Sequence, residues 1–302
     1  MAKKDTVEIK LLKAHVNINR EDPLEARTLG FGAKALVSAC LPYNNPKKDS
    51  LENGAWIRRN GAYKLWIQGG PKGLPYGTYP RLFVIWLTTQ AIKTGNKKIY
   101  AGGTIRDYLK SVGVDSSRGV RGSGKMMLEQ TTRFLESRAA FSRSESNDKF
   151  VLEAGNQMLF AEDYELLWDP KNPDQELLFD SYIELSEKFF KEITTYSIPL
   201  DMRAVEAIRS SPMALDIYQW LAYRLHYIKP GKPTMPSWDD LRLQFGAEYG
   251  RRDHFINQFK KKLKQAMTVY PAARVALNEN GNGLILCHSA PPVPKKPMLV
   301  VK

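Results

Sequence analysis

Apolar positions recur at steps of two in some stretches and of three and four in others, and these periods divide the chain into elements. Residues 1–26 are charged and weakly periodic, an arm with room for a short strand at Val7–Leu12. Small and apolar residues at helical spacing follow from Leu29 to Leu41, stopping at Pro42. Trp56, Tyr63, Leu65 and Ile67 flank Asn60-Gly61, a hairpin signal. Pro80–Gly95 reads as an apolar helix, with proline in its first turn and glycine at its end. Next come a short strand at Lys98–Ala101, a helix capped by Thr104 and ending at Gly113, and the basic loop DSSRGVRGSGK. A third helix spans about Ser123–Ser137, and strands at Ala139–Ser144 and Lys149–Phe160 flank the turn Glu145–Asp148.

The second half follows the same order. After the turn DPKNPD, Leu177–Leu185 is extended and Ser197–Met202 leads inward. Ser211 and Pro212 open an apolar helix, and Lys229–Pro236 leaves room for one short strand. Ser237 caps WDDLRLQFG, a basic amphipathic helix occupies Arg251–Tyr270, and a hairpin at Arg274–Leu277 and Leu284–His288 surrounds NENGNG. Pro80 answers Pro212, Trp86 answers Trp220, Ile105 answers Trp238 and Gly113 answers Gly246, a repeat of pattern with little residue identity. Helix, strand, helix, helix and hairpin is the order of a winged helix-turn-helix domain. The prediction is an α+β chain of two tandem winged helix-turn-helix domains with small antiparallel β-wings. It places an N-terminal arm at 1–26, a first winged helix at 27–176, a second at 177–290 and a Pro-rich basic tail at 291–302.

In the Arg251–Tyr270 helix, Ile256, Phe259, Leu263 and Met267 share one apolar face. His254, Asn257, Gln258, Lys260, Lys261, Lys262, Lys264 and Gln265 lie on the others, with Arg251 and Arg252 at the start. Such a helix suits the major groove of DNA, where Arg and Lys meet phosphate or guanine and Asn and Gln read adenine. An isolated basic helix can equally be a solvated surface helix. The third helix of the first half offers Lys125, Gln130 and Arg133 outward, after a loop bearing Arg118, Arg121 and Ser123 whose N–H groups suit phosphate. Arg274, Arg143 and Lys149 are wing candidates.

Composition strengthens the DNA reading. The 302 residues carry a formal net charge of +13, which favours a polyanionic partner, and 43% hydrophobic content supplies packed cores. No apolar run approaches the roughly 18 to 20 residues of a membrane span and no signal peptide opens the chain, so a soluble intracellular protein is expected. Two distant cysteines, Cys40 and Cys287, and the isolated His15, His226, His254 and His288 suggest no disulfide framework or metal site. Gly119–Lys125 imitates the start of a nucleotide-binding P-loop, but Met126 stands where magnesium needs a hydroxyl and no apolar strand feeds the loop. Asp239 and Asp240 sit in a helix's first turn, where they favour its dipole. No catalytic constellation emerges, and neither enzyme activity nor a cofactor is expected.

Pro199-Leu200-Asp201-Met202-Arg203-Ala204, followed by Ser211-Pro212, Ala214-Leu215-Asp216, Tyr218, Trp220-Leu221 and Tyr223-Arg224, resembles the plasmid-encoded RepA-type replication initiators. Pro75-Tyr76-Gly77 with Pro80-Arg81, and Gly122–Phe134 with Leu128, Gln130 and Arg133, support the resemblance, which covers roughly Leu29–His288. It implies a bacterial cytoplasmic initiator that binds repeated double-stranded sites at a plasmid origin, helps to melt the origin, and recruits the host initiator and replicative helicase. It also implies exchange between homodimer and monomer, with Gly122–Arg133 and Arg251–Lys264 as DNA contacts and no catalytic residue. Two reading helices in successive major grooves, about 10 base pairs apart, predict a site near 20 base pairs. The rival readings are a winged-helix transcription repressor, a nuclease or primase-like enzyme, and an RNA-binding structural protein, which the narrow A-form major groove disfavours.

Overall fold

The computed structural model describes residues 2–38, 40–61, 63–102, 104–114, 122, 124–146, 151–167, 181–246 and 248–294. The chain begins with helix α1 (Ala2–Arg20), strand β1 (Leu29–Ala33) and the short helix α2 (Lys34–Ser38), followed by the hairpin β2 (Ala55–Asn60) and β3 (Tyr63–Gln68). Then come α3 (Thr78–Thr94), β4 (Lys98–Tyr100), α4 (Ile105–Ser111), α5 (Lys125–Leu135), β5 (Arg138–Ser146), β6 (Val151–Leu159), β7 (Ala161–Glu165) and β8 (Tyr182–Leu185). Helix α6 (Glu187–Thr195), β9 (Ser197–Asp201) and α7 (Met202–Ile208) lead to α8 (Pro212–Tyr227), α9 (Trp238–Phe245), α10 (Arg252–Thr268), β10 (Val275–Leu277) and β11 (Leu284–Leu286).

Two winged helix-turn-helix units in tandem account for this order: α3, β4, α4, α5 and the β5–β6 hairpin, then α8, α9, α10 and the β10–β11 hairpin. In the second unit Thr234 bridges Leu286, so the strand expected between the first two helices docks on the wing. The first unit elaborates this plan. Its wing strand β5 also pairs with β3, giving a four-stranded antiparallel sheet in the order β2-β3-β5-β6. Strand β4 pairs with β8 instead of the wing, and β8 pairs with β7. Strand β8 lies C-terminal to the expected boundary after residue 176, yet completes a sheet of the first unit.

Local sequence explains most elements. Thr104, Ser186, Ser211 and Ser237 cap the helices they precede, each accepting from a backbone N–H of the first turn. At Ser237 the cap is reciprocal, because Asp240 accepts the Ser237 N–H at 3.0 Å while its own N–H reaches Ser237 Oγ at 3.1 Å. The Ser237 hydroxyl, donating to Asp240 Oδ2 at 2.7 Å, and then the Ser237 N–H hold the Asp240 carboxyl below its ordinary pKa. Gly95, in left-handed conformation, ends α3.

Two expectations are corrected. The arm expected at 1–26 is helical over Ala2–Arg20 and holds no strand at Val7–Leu12. Val7, Leu11, Ala14 and Ile18 recur at helical spacing and face α7 and α10. His15 Nδ1 lies 2.8 Å from the carbonyl of Thr268, and Arg203 donates to the carbonyls of Asn17 and Glu21 at 2.9 Å. Leu29–Ala33 is a strand although its spacing reads as helical, because Leu29 to Ala33 pair antiparallel with Asp201 to Ser197. Gly32 lets this strand lie flush, since a Cβ there would sit 2.4 Å from Gln219 Oε1 on α8.

Helices α3 and α8 are buried over most of their circumference and touch at the junction of the units. Arg81 of α3, 4% exposed, spends all five N–H donors there. Its Nε and Nη2 meet the two Asp216 oxygens at 2.8 Å, and its remaining donors go to the carbonyls of Leu41, Pro42 and Gly77. A single hydrophobic core runs through both units around this pair.

Two stability outcomes follow. Asp216→Ala should lower the free energy of unfolding in urea by about 3–5 kcal/mol, because it strands a buried guanidinium; a loss below about 1 kcal/mol would show that the pair does not join the units. Ser237→Ala should cost about 1 kcal/mol through the lost cap, and an unchanged denaturation midpoint would contradict that role.

Candidate nucleic-acid interface

Helix α10 turns one face inward and one to solvent. Phe255, Phe259, Leu263 and Ala266 are buried, with Ile256 and Met267 half-buried at their side. The apolar stripe predicted from Ile256, Phe259, Leu263 and Met267 is thus rotated slightly, with Phe255 and Ala266 extending it on one side and Phe259 and Leu263 at its centre. Stepping about 100° per residue, Lys260, Lys264, Asn257, Lys261 and His254 fall on one exposed arc. Gln258 is half-buried at the border. Lys262 lies on the far flank, half-buried, where desolvation lowers its pKa.

Neighbouring elements hold this arc in place. The Lys260 ammonium sits 5.4 Å from the Trp238 ring centroid at the start of α9, and His254 packs edge-on against Tyr249 at 5.4 Å. Arg252 Nε donates to Asp239 Oδ1 at 2.8 Å and its Nη2 to Asn282 Oδ1 at 3.1 Å, tying the start of α10 to α9 and the wing turn. Arg251 pairs with Asp253 at 2.6 Å. Both pairs are exposed, so each contributes little and can exchange its carboxylate for a phosphate at small cost. The wing turn is fixed in turn by Trp238, whose indole N–H donates to the Gly281 carbonyl at 2.8 Å. Arg274 is exposed just before β10.

The first unit presents less of what its sequence predicts. Lys125 is exposed at the start of α5. Gln130, expected outward, is fully buried, and its Oε1 accepts the Tyr76 N–H at 2.8 Å. Arg133, also expected outward, is mostly buried: it pairs with Glu129 at 2.7 Å, donates to the Leu74 carbonyl and lies over the Tyr76 ring. The cause is the segment before α3, which packs across the face of α5 that the helical period leaves polar. Arg118, Arg121, Ser123 and Lys149 lie outside the described residues, as does the side chain of Arg143.

Among the described residues no group of three or more His, Cys, Asp or Glu side chains is placed to hold a metal, and no helix is long and apolar enough to cross a membrane. Sequence reasoning missed the supports of the α10 arc, Trp238, Tyr249 and Asn282; NENGNG is legible as a turn, but nothing in it tells which side chain returns to Arg252.

The residues behind the family resemblance lie mainly inside. Asp201 caps α7 and binds the Arg203 guanidinium, Tyr218 accepts the Asp201 N–H at 3.0 Å, and Asp216 faces Arg81. Two solved structures of RctB domains 2 and 3 are similar in three dimensions. One, a selenomethionine derivative, has a TM-score of 0.48 and 11% identity, covering 85% of this chain and 96% of that one. The other has a TM-score of 0.47 and 12% identity, covering 83% and 94%. No curated protein matches the chain. The profile of the family described as plasmid encoded RepA protein matches residues 74–240, more than half of the chain and the span that holds both Arg81 and Asp216, so the chain belongs to the family of plasmid-encoded RepA proteins, the replication initiators of plasmids.

Proposed function

We propose that this protein initiates plasmid replication by gripping repeated double-stranded DNA sites at the origin, with α10 as the principal reading helix, and that it acts by binding and not by catalysis. The exposed arc of α10 carries this reading. Lys260, Lys261 and Lys264 supply charge, Asn257 and His254 supply hydrogen-bonding groups between them, and Arg251 and Arg252 stand at the helix's positive end beside the wing. A helix so supported on its apolar face fits the width of a major groove, with the β10–β11 turn and Arg274 placed for the flanking backbone. In the first unit, Lys125 and the basic segment before it would contact phosphates; Gln130 and Arg133 support the helix instead. Origin opening, recruitment of host initiator and helicase, and exchange between dimer and monomer are the steps that membership of this family suggests for the bound protein.

The physical signature is strong salt dependence. With six to ten phosphate contacts, affinity for an origin repeat should fall by roughly a thousandfold or more between 50 and 200 mM salt. Replacing Lys260, Lys261 and Lys264 together by Ala should weaken binding to specific and random duplexes alike. It should also flatten the slope of log affinity against log salt by about 2.7, leaving thermal unfolding nearly unchanged. A triple variant that binds with the wild-type slope would refute α10 as the main contact. Asn257→Ala should cost about 1–3 kcal/mol on the specific site and little on random DNA; equal losses on both would assign Asn257 to the backbone.

A further inference from the structure

A cleft of about 480 Å³ opens beside the Arg81 junction, between the start of α3, the first turn of α5 and the end of α7. Its size falls within the roughly 300–1,000 Å³ range of small-molecule sites. Two cations, Lys10 and Arg209, line it, and among the described residues its lining contains no carboxylate. Lys10 is exposed, whereas Arg209 also meets Glu206 Oε2 at 3.1 Å and the Gly113 carbonyl.

Donors converge on the same space. Thr78 and Tyr79 open the 17-residue α3, whose N-cap Gly77 offers no side-chain cap and gives its own N–H to the Pro42 carbonyl, so the Thr78 and Tyr79 N–H groups and the positive end of the helix border the cleft. Two buried side chains add unpartnered donors. Gln130 is 0% exposed, and because its Oε1 accepts the Tyr76 N–H its Nε2 must be the donating end; among the described residues that Nε2 has no partner. Tyr43 is 8% exposed with a hydroxyl that has no partner among the described residues, and burial pushes its pKa well up, so it remains a donor. Leaving such groups unsatisfied costs about 1–3 kcal/mol each, which marks a position for an acceptor. Tyr76, Tyr79, Leu82 and Met126 provide flat and apolar wall for a ring.

We propose that this cleft binds a free nucleoside phosphate, its phosphate at the start of α3 between Lys10 and Arg209, and its base against the tyrosine and aliphatic wall beside Tyr43 and Gln130. The Gly124-Lys125 end of the P-loop-like sequence opens α5, and Met126 borders the cleft. Met126 takes the place of the magnesium-holding hydroxyl, so binding is proposed and hydrolysis is not.

The test is calorimetric titration of the full chain with ATP, adenosine and inorganic phosphate, with and without saturating origin duplex. ATP should bind far more tightly than adenosine or phosphate alone, and should stay bound when duplex is added. Lys10→Glu, a surface change remote from the core, should weaken ATP by about 10- to 100-fold, as should Gln130→Leu if its thermal unfolding matches the wild type. Three results would overturn the proposal: no ATP binding at millimolar concentration, wild-type affinity in Lys10→Glu, or stoichiometric displacement of ATP by duplex, which would give the phosphate position to DNA.

Discussion

A charged pair sealed inside the protein sets the geometry of everything outside it. The guanidinium of Arg81 and the carboxylate of Asp216 sit on the central helices of the two winged units, almost without water, and the carbonyls of Leu41, Pro42 and Gly77 take the remaining donors. Burying two charges is costly unless every donor and lone pair finds a partner in good geometry. Arg81 meets that demand through five bonds, and a small sideways shift of α3 against α8 would break several at once. A hydrophobic interface of the same area would tolerate sliding; this one resists it. Around the pair, Gln244 donates to the Val37 carbonyl and Glu248 accepts from Tyr43 and Asn44, so the second unit is also held by α2 and by the loop before β2. Arg58 lies nearby over the Trp56 ring, 3.6 Å from Glu248, with burial lowering its pKa.

This arrangement keeps the fastening residues apart from the helix proposed to read DNA. The residues that mark the chain as a RepA protein, from Pro199 to Arg224 and around Arg81, mostly fasten helices: Asp201 and Arg203 join β9, α7 and the end of α1, and Tyr218 seals the join from α8. The family match ends at residue 240, before α10 begins at Arg252. The scaffold therefore belongs to the matched span, and the helix proposed to read DNA lies beyond it. Trp238 and Asp239, at the end of the matched span, connect the two, because they steady Lys260 and Arg252 from the scaffold side.

Much of this was legible in the sequence where one physical signal acted alone. Capping residues, the Asn60-Gly61 turn and the apolar runs of α3 and α8 announce their structures locally, and so does the basic face of α10. Legibility failed where distant partners decided the outcome. Helix α1 carries Ile9, Leu12 and Val16 on its exposed side as well as Leu11 and Ala14 on its buried side, which blurs the helical period. Leu29–Ala33 becomes a strand because β9, far along the chain, is there to pair with it. Gln130 and Arg133 occupy polar positions of an amphipathic helix, and only the segment at Leu74–Tyr76 turns them into internal supports. The pairing of β3 with β5, which enlarges the first wing, likewise joins hairpins that look independent in sequence.

If the junction fixes two DNA-facing units in one relation, the footprint on DNA must register both. Hydroxyl-radical footprinting of the full chain on a single origin repeat tests this most directly. The expected result is two protected stretches whose centres lie about 10 base pairs apart, one helical turn, within a site near 20 base pairs. Protection of only one turn, with the flanking groove as reactive as in free DNA, would contradict a joint grip by the two units.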